Sequence, residues 1–184
     1  MRFNQVWQIR QIGTEDWFPA RVPGNIQYDY AVSHNFGDIW FGMVHEKFLA
    51  IEDYEWEYRT VLHFKAHPGE RVFFITRGVD YFFDLALNGT VLHSHEGMFS
   101  IVELDLTEKL TGKDYILSVF VHKHPKHPGE PANRNQAVDS CKPAVSYTWD
   151  YHPRVLPSGM WEDAYIETRK TGFIRSAECR YRLS

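Results

Sequence analysis

Apolar and polar positions along this chain alternate with a period of two, and no sustained helical period appears. Trp56, Tyr58, Thr60, Leu62 and Phe64 fall on one face of a predicted strand, with Glu57, Arg59 and His63 on the other. Arg71 to Thr76 reads as a short buried strand. Asp80 to Leu87 and Thr90 to His93 flank Asn88-Gly89, a pair that tolerates the positive φ of a tight hairpin turn. Val102, Leu104 and Leu106 alternate in the next strand. Tyr115 to His122 follows the turn at Gly112, and Trp161 to Thr168 and Phe173 to Tyr181 close the series. Helix is confined to short pieces: Asn25 to Ser33, where Asn25 can cap, and the turn at Thr107 to Leu110. His124 to Pro143, with Pro125, Pro128, Pro131, Pro143 and Gly129, is expected as a long surface loop. At least about eight strands with regular turn signals predict an all-β fold, a jelly-roll β-sandwich with one or two short helices.

Composition sharpens this. The 184 residues suffice for one domain with a real core and no structural disulfide or metal. Six Trp, ten Tyr and thirteen Phe make 16% of the chain, which suits packed sheets and leaves rings to stack on a ligand. A net charge of −4 and a pI near 6.2 argue against nucleic acid and against an anionic membrane surface. No run of residues approaches the length of a membrane span, and the start at Met1-Arg2-Phe3 has no apolar signal core. The compartment stays open: periplasmic or secreted if a signal peptide has been removed, otherwise cytoplasmic. Pairing of Cys141 with Cys179 is also left open by the sequence.

Candidate chemistry is sparse. His93-Ser94-His95-Glu96 and His122-Lys123-His124 each place two imidazoles on one strand face, as a metal site needs. Glu130 and Pro157-Ser158-Gly159 do not supply the further ligands of a cupin, and exposed strand-end histidines are the expectation, with no metal and no cofactor. Glu15-Asp16, Glu52-Asp53 and Glu162-Asp163 are sequence neighbours that point to opposite faces of a strand. They make poor glycosidase pairs and read as solvated surface charge. Serine-hydrolase, phosphate-loop and dinucleotide signatures are absent, and Cys141 has no evident base. Trp149-Asp150-Tyr151-His152-Pro153-Arg154 differs from all of these. It offers a ring face for sugar C–H groups and a planar acceptor for paired hydroxyls, the chemistry of carbohydrate recognition. The plainer alternative packs Trp149 in the core and pairs Asp150 with Arg154.

At these residues the sequence resembles the N-terminal sugar-binding domain of glycoside hydrolase family 2, most closely its β-mannosidase-like branch. Asp16-Trp17 through Pro23-Gly24-Asn25-Ile26 is similar to the family's tryptophan followed by Ala-x-Val-Pro-Gly-x-Val. Asp53 to Arg59 resembles its dWeYr strand, Gly78-Val79-Asp80 through Asn88-Gly89 its hairpin, and His95 to Phe99 its h-x-G-x-F turn. Lys142-Pro143 to Trp161 resembles the segment K…WDWGPR…aGiW, with Tyr151 and His152 in place of Trp and Gly, and Glu162 in place of Arg.

The resemblance implies a galactose-binding-domain-like jelly roll over residues 1–171. A linker strand over 172–184 would lead to immunoglobulin-like domains and a (β/α)8 barrel that carries both catalytic glutamates. The Asn-Glu dipeptide that holds the family's acid/base does not occur in this chain, so no catalytic residue is expected here. The implied substrate-binding residues are Asp150, Trp149, Tyr151 and Arg154, acting on a non-reducing-end sugar together with the barrel. A purely structural domain of the same enzyme and a free-standing lectin are the competing readings.

Overall fold

The computed structural model describes residues 1–65, 67–112 and 114–182. Ten strands form two antiparallel sheets. The smaller sheet runs β1-β10-β5-β8, with β1 Arg2–Asn4, β10 Ala164–Lys170, β5 Glu70–Thr76 and β8 Val102–Asp105. The larger runs β3-β2-β4-β9-β6-β7, with β3 Phe18–Ala20, β2 Trp7–Gln11, β4 Trp56–His63, β9 Asp114–Val121, β6 Phe82–Leu87 and β7 Thr90–Glu96. Two short helices, α1 Ile26–Ser33 and α2 Glu46–Leu49, lie in the long connection from β3 to β4. The architecture is the predicted β-sandwich.

Period-two alternation sets which side chains the sheets bury between them. Trp56, Tyr58 and Leu62 of β4 join Leu117, Val119 and Val121 of β9 and Phe83, Leu85 and Leu87 of β6 in one core. Val72 and Phe74 of β5 and Ile166 of β10 face them from the other sheet. Trp7 bridges the layers, its ring centroid 6.0 Å from that of Phe74 and 6.3 Å from that of Tyr58. Burying Phe73, Ile75 and Tyr165 on the outer face of the smaller sheet makes β5 apolar on both sides, with the Arg169 guanidinium 4.3 Å above the Phe73 ring. Glu57 breaks the alternation. It is buried because Arg10 and the Ser118 hydroxyl satisfy its carboxylate at 2.8 and 2.9 Å.

Asn88 and Gly89 take φ of 49° and 79°, so the hairpin turn forms as expected. Asn25 caps α1, its Oδ1 accepting the Tyr28 N–H at 2.8 Å. Elsewhere the structure departs from the sequence reading or adds to it. β1, β2 and β3 are too short for their alternation to stand out, and the four-residue α2 has no cap of its own. The last strand begins at Ala164 rather than Trp161, because Trp161 donates its indole N–H to the Met98 carbonyl at 2.9 Å instead of entering the sheet. Phe173 to Tyr181 forms no strand: β1 already covers that side of β10. Residues 172–182 run exposed, tied down by an ion pair from Arg175 to Glu103 and by Arg169 over Phe173, and Leu183 and Ser184 lie outside the described residues. His124 to Pro143 is a surface excursion with buried ends and a 3-10 turn at Arg134–Ala137.

Candidate functional site

The Trp149–Arg154 segment projects from the sandwich as a tight turn. Trp149 and His152 exchange both backbone hydrogen bonds at 3.1 Å, which puts Asp150 and Tyr151 at the tip. Tyr151 is 85% exposed. Trp149 is 38% exposed and lies under the Arg134 guanidinium, 4.4 Å from its ring, so it is not a core residue. Arg154 is not the partner of Asp150. Its Nε and Nη2 donate to the two oxygens of Glu52 at 2.7 and 2.5 Å, and further bonds reach Gln136 Oε1 at 2.8 Å and the Tyr147 carbonyl at 2.9 Å. Among the described residues no hydrogen bond or ion pair engages the exposed Asp150 carboxylate.

Glu52 corrects the expectation of solvated surface acids. Its side chain is 10% exposed and takes Arg154 and Lys126 together. Burial pushes its carboxyl up, but the hydrogen bonds from Arg154 and Lys126 outweigh this and hold it below the usual carboxylate range. The planar two-pronged bond explains why an arginine stands at this position.

A second charged pair is more deeply buried. Lys142, fully buried, donates to Asp80 and, at 2.6 Å, to the Pro157 carbonyl. Burial raises the Asp80 pKa and lowers that of Lys142, as expected for two charges taken out of water together. His124 is buried beside them, contrary to the expected exposed strand-end histidine, and its Nδ1 has no partner.

Two glycines explain why the sequence motifs converge here. A Cβ at Gly78 would sit 2.8 Å from the Trp161 ring, and one at Gly159 would sit 2.2 Å from the Tyr58 hydroxyl, at a φ of 110°. Asp80 and Gly159 then exchange backbone hydrogen bonds at 2.9 and 3.0 Å, joining the hairpin to the end of the Trp149 loop.

The remaining candidates separate. His122 lies between Glu55 at 3.2 Å and Asp84 at 2.9 Å, while His93 and His95 stack on each other with ring centroids 6.1 Å apart. Among the described residues no group of three or more His, Cys, Asp or Glu side chains gathers as a metal site would require. Cys141 and Cys179 are both free and exposed. A feature the sequence reading missed is a cleft of about 470 Å³ beside the turn, walled by Trp40 and His45 on one side and by Ser146, His152 and Pro153 on the other. Its signal is the apolar pair Trp40-Phe41 between Gly37 and Gly42, in a stretch with no alternation.

Residues 7–162 match the family described as glycosyl hydrolase 2 galactose-binding domain-like. The chain belongs to this family. As a glycosyl hydrolase 2 galactose-binding-like domain it is similar to beta-mannosidase B of Aspergillus terreus, 27% identical over 168 residues that cover 83% of this chain and 20% of that protein. Beta-mannosidase B of Thermothelomyces thermophilus is 25% identical over 182 residues, covering 89% of this chain and 21% of that protein. The domain thus spans about a fifth of the length of the curated relatives it matches. Among solved structures, the β-D-mannosidase from Dictyoglomus thermophilum superposes with a TM-score of 0.73 at 20% identity, over 91% of this chain and 22% of that one. An exo-β-D-glucosaminidase superposes with a TM-score of 0.68 at 16% identity, over 91% and 20%. Both share the fold.

Proposed function

We propose that this domain serves a β-mannosidase-type enzyme of glycoside hydrolase family 2 by closing its sugar pocket. The Trp149–Tyr151 turn supplies the contact. Asp150 accepts hydrogen bonds from hydroxyls of the non-reducing-end sugar, and Trp149 and Tyr151 offer ring faces to its C–H groups. Arg154, paired with Glu52, holds the base of the turn rather than touching sugar. The two catalytic glutamates belong to the barrel of the same enzyme, and the domain itself carries out no bond cleavage.

The observation that carries this reading is the Asp150 carboxylate, unpaired at an exposed tip whose base is clamped by the Arg154–Glu52 bond. A carboxylate left free on a stiff support is prepared for a ligand, since few internal bonds must break when it binds. Similarity to two beta-mannosidases B supports the sugar class.

The test is Asp150→Ala in the full-length enzyme. Loss of charge-assisted hydrogen bonds of about 1.5 to 3 kcal/mol each should lower kcat/KM at least about tenfold, with the melting temperature of the domain unchanged. Unchanged kinetics in the folded enzyme would remove Asp150 from the site and leave the purely structural reading.

A further inference from the structure

Arginines stacked on aromatic rings recur across this domain, and among the described residues all but one of them also bond a second side chain. Arg10 lies over Trp17 and donates to Glu57, Arg71 lies over Phe73 and donates to Asp105, and Arg169 lies over Phe73 and donates to Glu103. Arg2, Arg21, Arg59 and Arg154 likewise join each ring contact to an acid or an amide side chain. The shape of the group explains the pairing: stacking uses the flat face of a guanidinium and leaves its N–H donors pointing outward in the plane. Arg134 breaks the pattern. It lies 4.4 Å from the Trp149 ring, yet among the described residues no hydrogen bond or ion pair engages its guanidinium.

The segment that carries Arg134 is held in place. Arg134 opens the 3-10 turn Arg134–Ala137, where the Asn133 side chain accepts the Asn135 N–H at 2.8 Å and Ala137 packs with Tyr147 and Leu156. Gln136 of the same turn accepts a hydrogen bond from Arg154 at 2.8 Å, so one base supports both Arg134 and the tip that bears Asp150. Two charges of opposite sign thus meet at one tryptophan without bonding each other. Asp150 follows Trp149 in the chain, and Arg134 covers part of its ring. A ligand that satisfies both offers hydroxyl donors to the carboxylate and an oxyanion to the guanidinium, whose fork matches a carboxylate or a phosphate. A neutral hexose satisfies only the first.

We infer that Arg134 is a substrate-binding residue that selects an acidic sugar, a non-reducing-end mannose bearing an oxyanion at its exocyclic carbon as a C6 carboxylate or an O6 phosphate. Arg134 takes two oxygens of that group while Asp150 takes ring hydroxyls. C6 is the one carbon of a hexopyranose outside the ring, so an anionic group there stands clear of the hydroxyl edge that Asp150 reads. This inference rests on the sugar reading given above and adds the charge of the substrate and the residue that senses it.

Steady-state kinetics of the full-length enzyme test it with nitrophenyl β-D-mannopyranoside, its 6-phosphate and nitrophenyl β-D-mannuronide. The parent should prefer one of the acidic substrates, and which one identifies the oxyanion. Arg134→Met should lower the acidic-to-neutral ratio of kcat/KM at least about tenfold, expressed as a higher KM for the acidic substrate. Arg134→Lys keeps a cation without the fork and should recover part of the ratio. A parent that prefers the neutral substrate, or an Arg134→Met variant that keeps the ratio, overturns the inference, since an arginine that only props Trp149 affects every substrate alike. Asp150→Ala should lower kcat/KM on all three. If it does not, while Arg134→Met still lowers the ratio, the Asp150 reading falls and this one stands. An enzyme that hydrolyses none of the three overturns both.

Discussion

Arg154 and Glu52, 102 residues apart, form a two-pronged ion pair at 2.7 and 2.5 Å that joins the Trp149 turn to the connection leading into β4. Both side chains are nearly buried, so the bond is little screened by water. It fixes where Asp150 stands without Asp150 taking part.

Replacing Glu52 by Gln should therefore loosen the turn while leaving the sandwich intact. The variant keeps the shape but removes the charge opposite Arg154 and Lys126. Amide exchange of Trp149 and His152, whose N–H groups are held by the turn, should speed up at least about tenfold, with the strands of the core unaffected. Equal protection in both proteins would show that the backbone alone holds the turn.

The Lys142–Asp80 pair should be costly to break from one side. Lys142→Met leaves Asp80 buried without a counter-charge, and urea unfolding should report a loss of about 3 to 5 kcal/mol. Adding Asp80→Asn should return a large part of it, because the unpaired charge is then gone. A double variant as unstable as the single one would place the cost in the packing of the lysine stem.

Acid should weaken the fold through His124. Burial, together with the positive charges of Lys142, Lys126 and Arg154, holds its imidazole well below the ordinary pKa of 6.5. Below pH 6.5 the unfolded chain takes up a proton that the folded chain refuses, so stability falls with pH from there toward the folded pKa. The slope reaches about 1.4 kcal/mol per pH unit for one proton. Glu52, held below its ordinary value of 4.5, adds its loss only below that pH, and Asp29 and Asp80, with raised values, act in the opposite direction. Denaturant unfolding of His124→Gln between pH 7 and 5 should show a flatter profile than the parent. Parallel profiles would assign the acid response elsewhere.

Gly159→Ala should be among the most damaging single-methyl changes in the chain. The added Cβ meets the Tyr58 hydroxyl at 2.2 Å and the Ile26 side chain at 2.9 Å, at a φ of 110° that alanine resists. A loss of more than about 2 kcal/mol is expected, with Tyr58→Phe restoring only part, since the backbone strain stays. Full restoration by Tyr58→Phe would mean that the contact alone mattered.

The isolated chain should hydrolyse no aryl glycoside. Its sequence has no Asn-Glu dipeptide, and its acids at Glu52, Asp80 and Glu57 are committed to Arg154, Lys142 and Arg10. Turnover of a nitrophenyl β-mannoside by the purified domain, abolished by a substitution within it, would refute this.

Strands β4, β5, β6 and β9 were legible in the sequence because each spans enough residues for one face to be apolar throughout, and burial on a sheet face has the same period as the pleat. The Asn88-Gly89 turn and the Asn25 cap were legible because both act on neighbouring backbone. The order of motifs along the chain also pointed to the family before any contact was known. Local pattern carried no information on which charges meet. Arg154 finds Glu52 rather than Asp150, and Lys142 finds Asp80, across 102 and 62 residues, because the chain path brings those atoms within bonding distance and burial strengthens what it brings together. Trp40 reaches the cleft lined by His152 and Pro153 for the same reason. Sequence determined the longer strands, the hairpin turn and the helix cap, and only tertiary structure decided which carboxylate was left free.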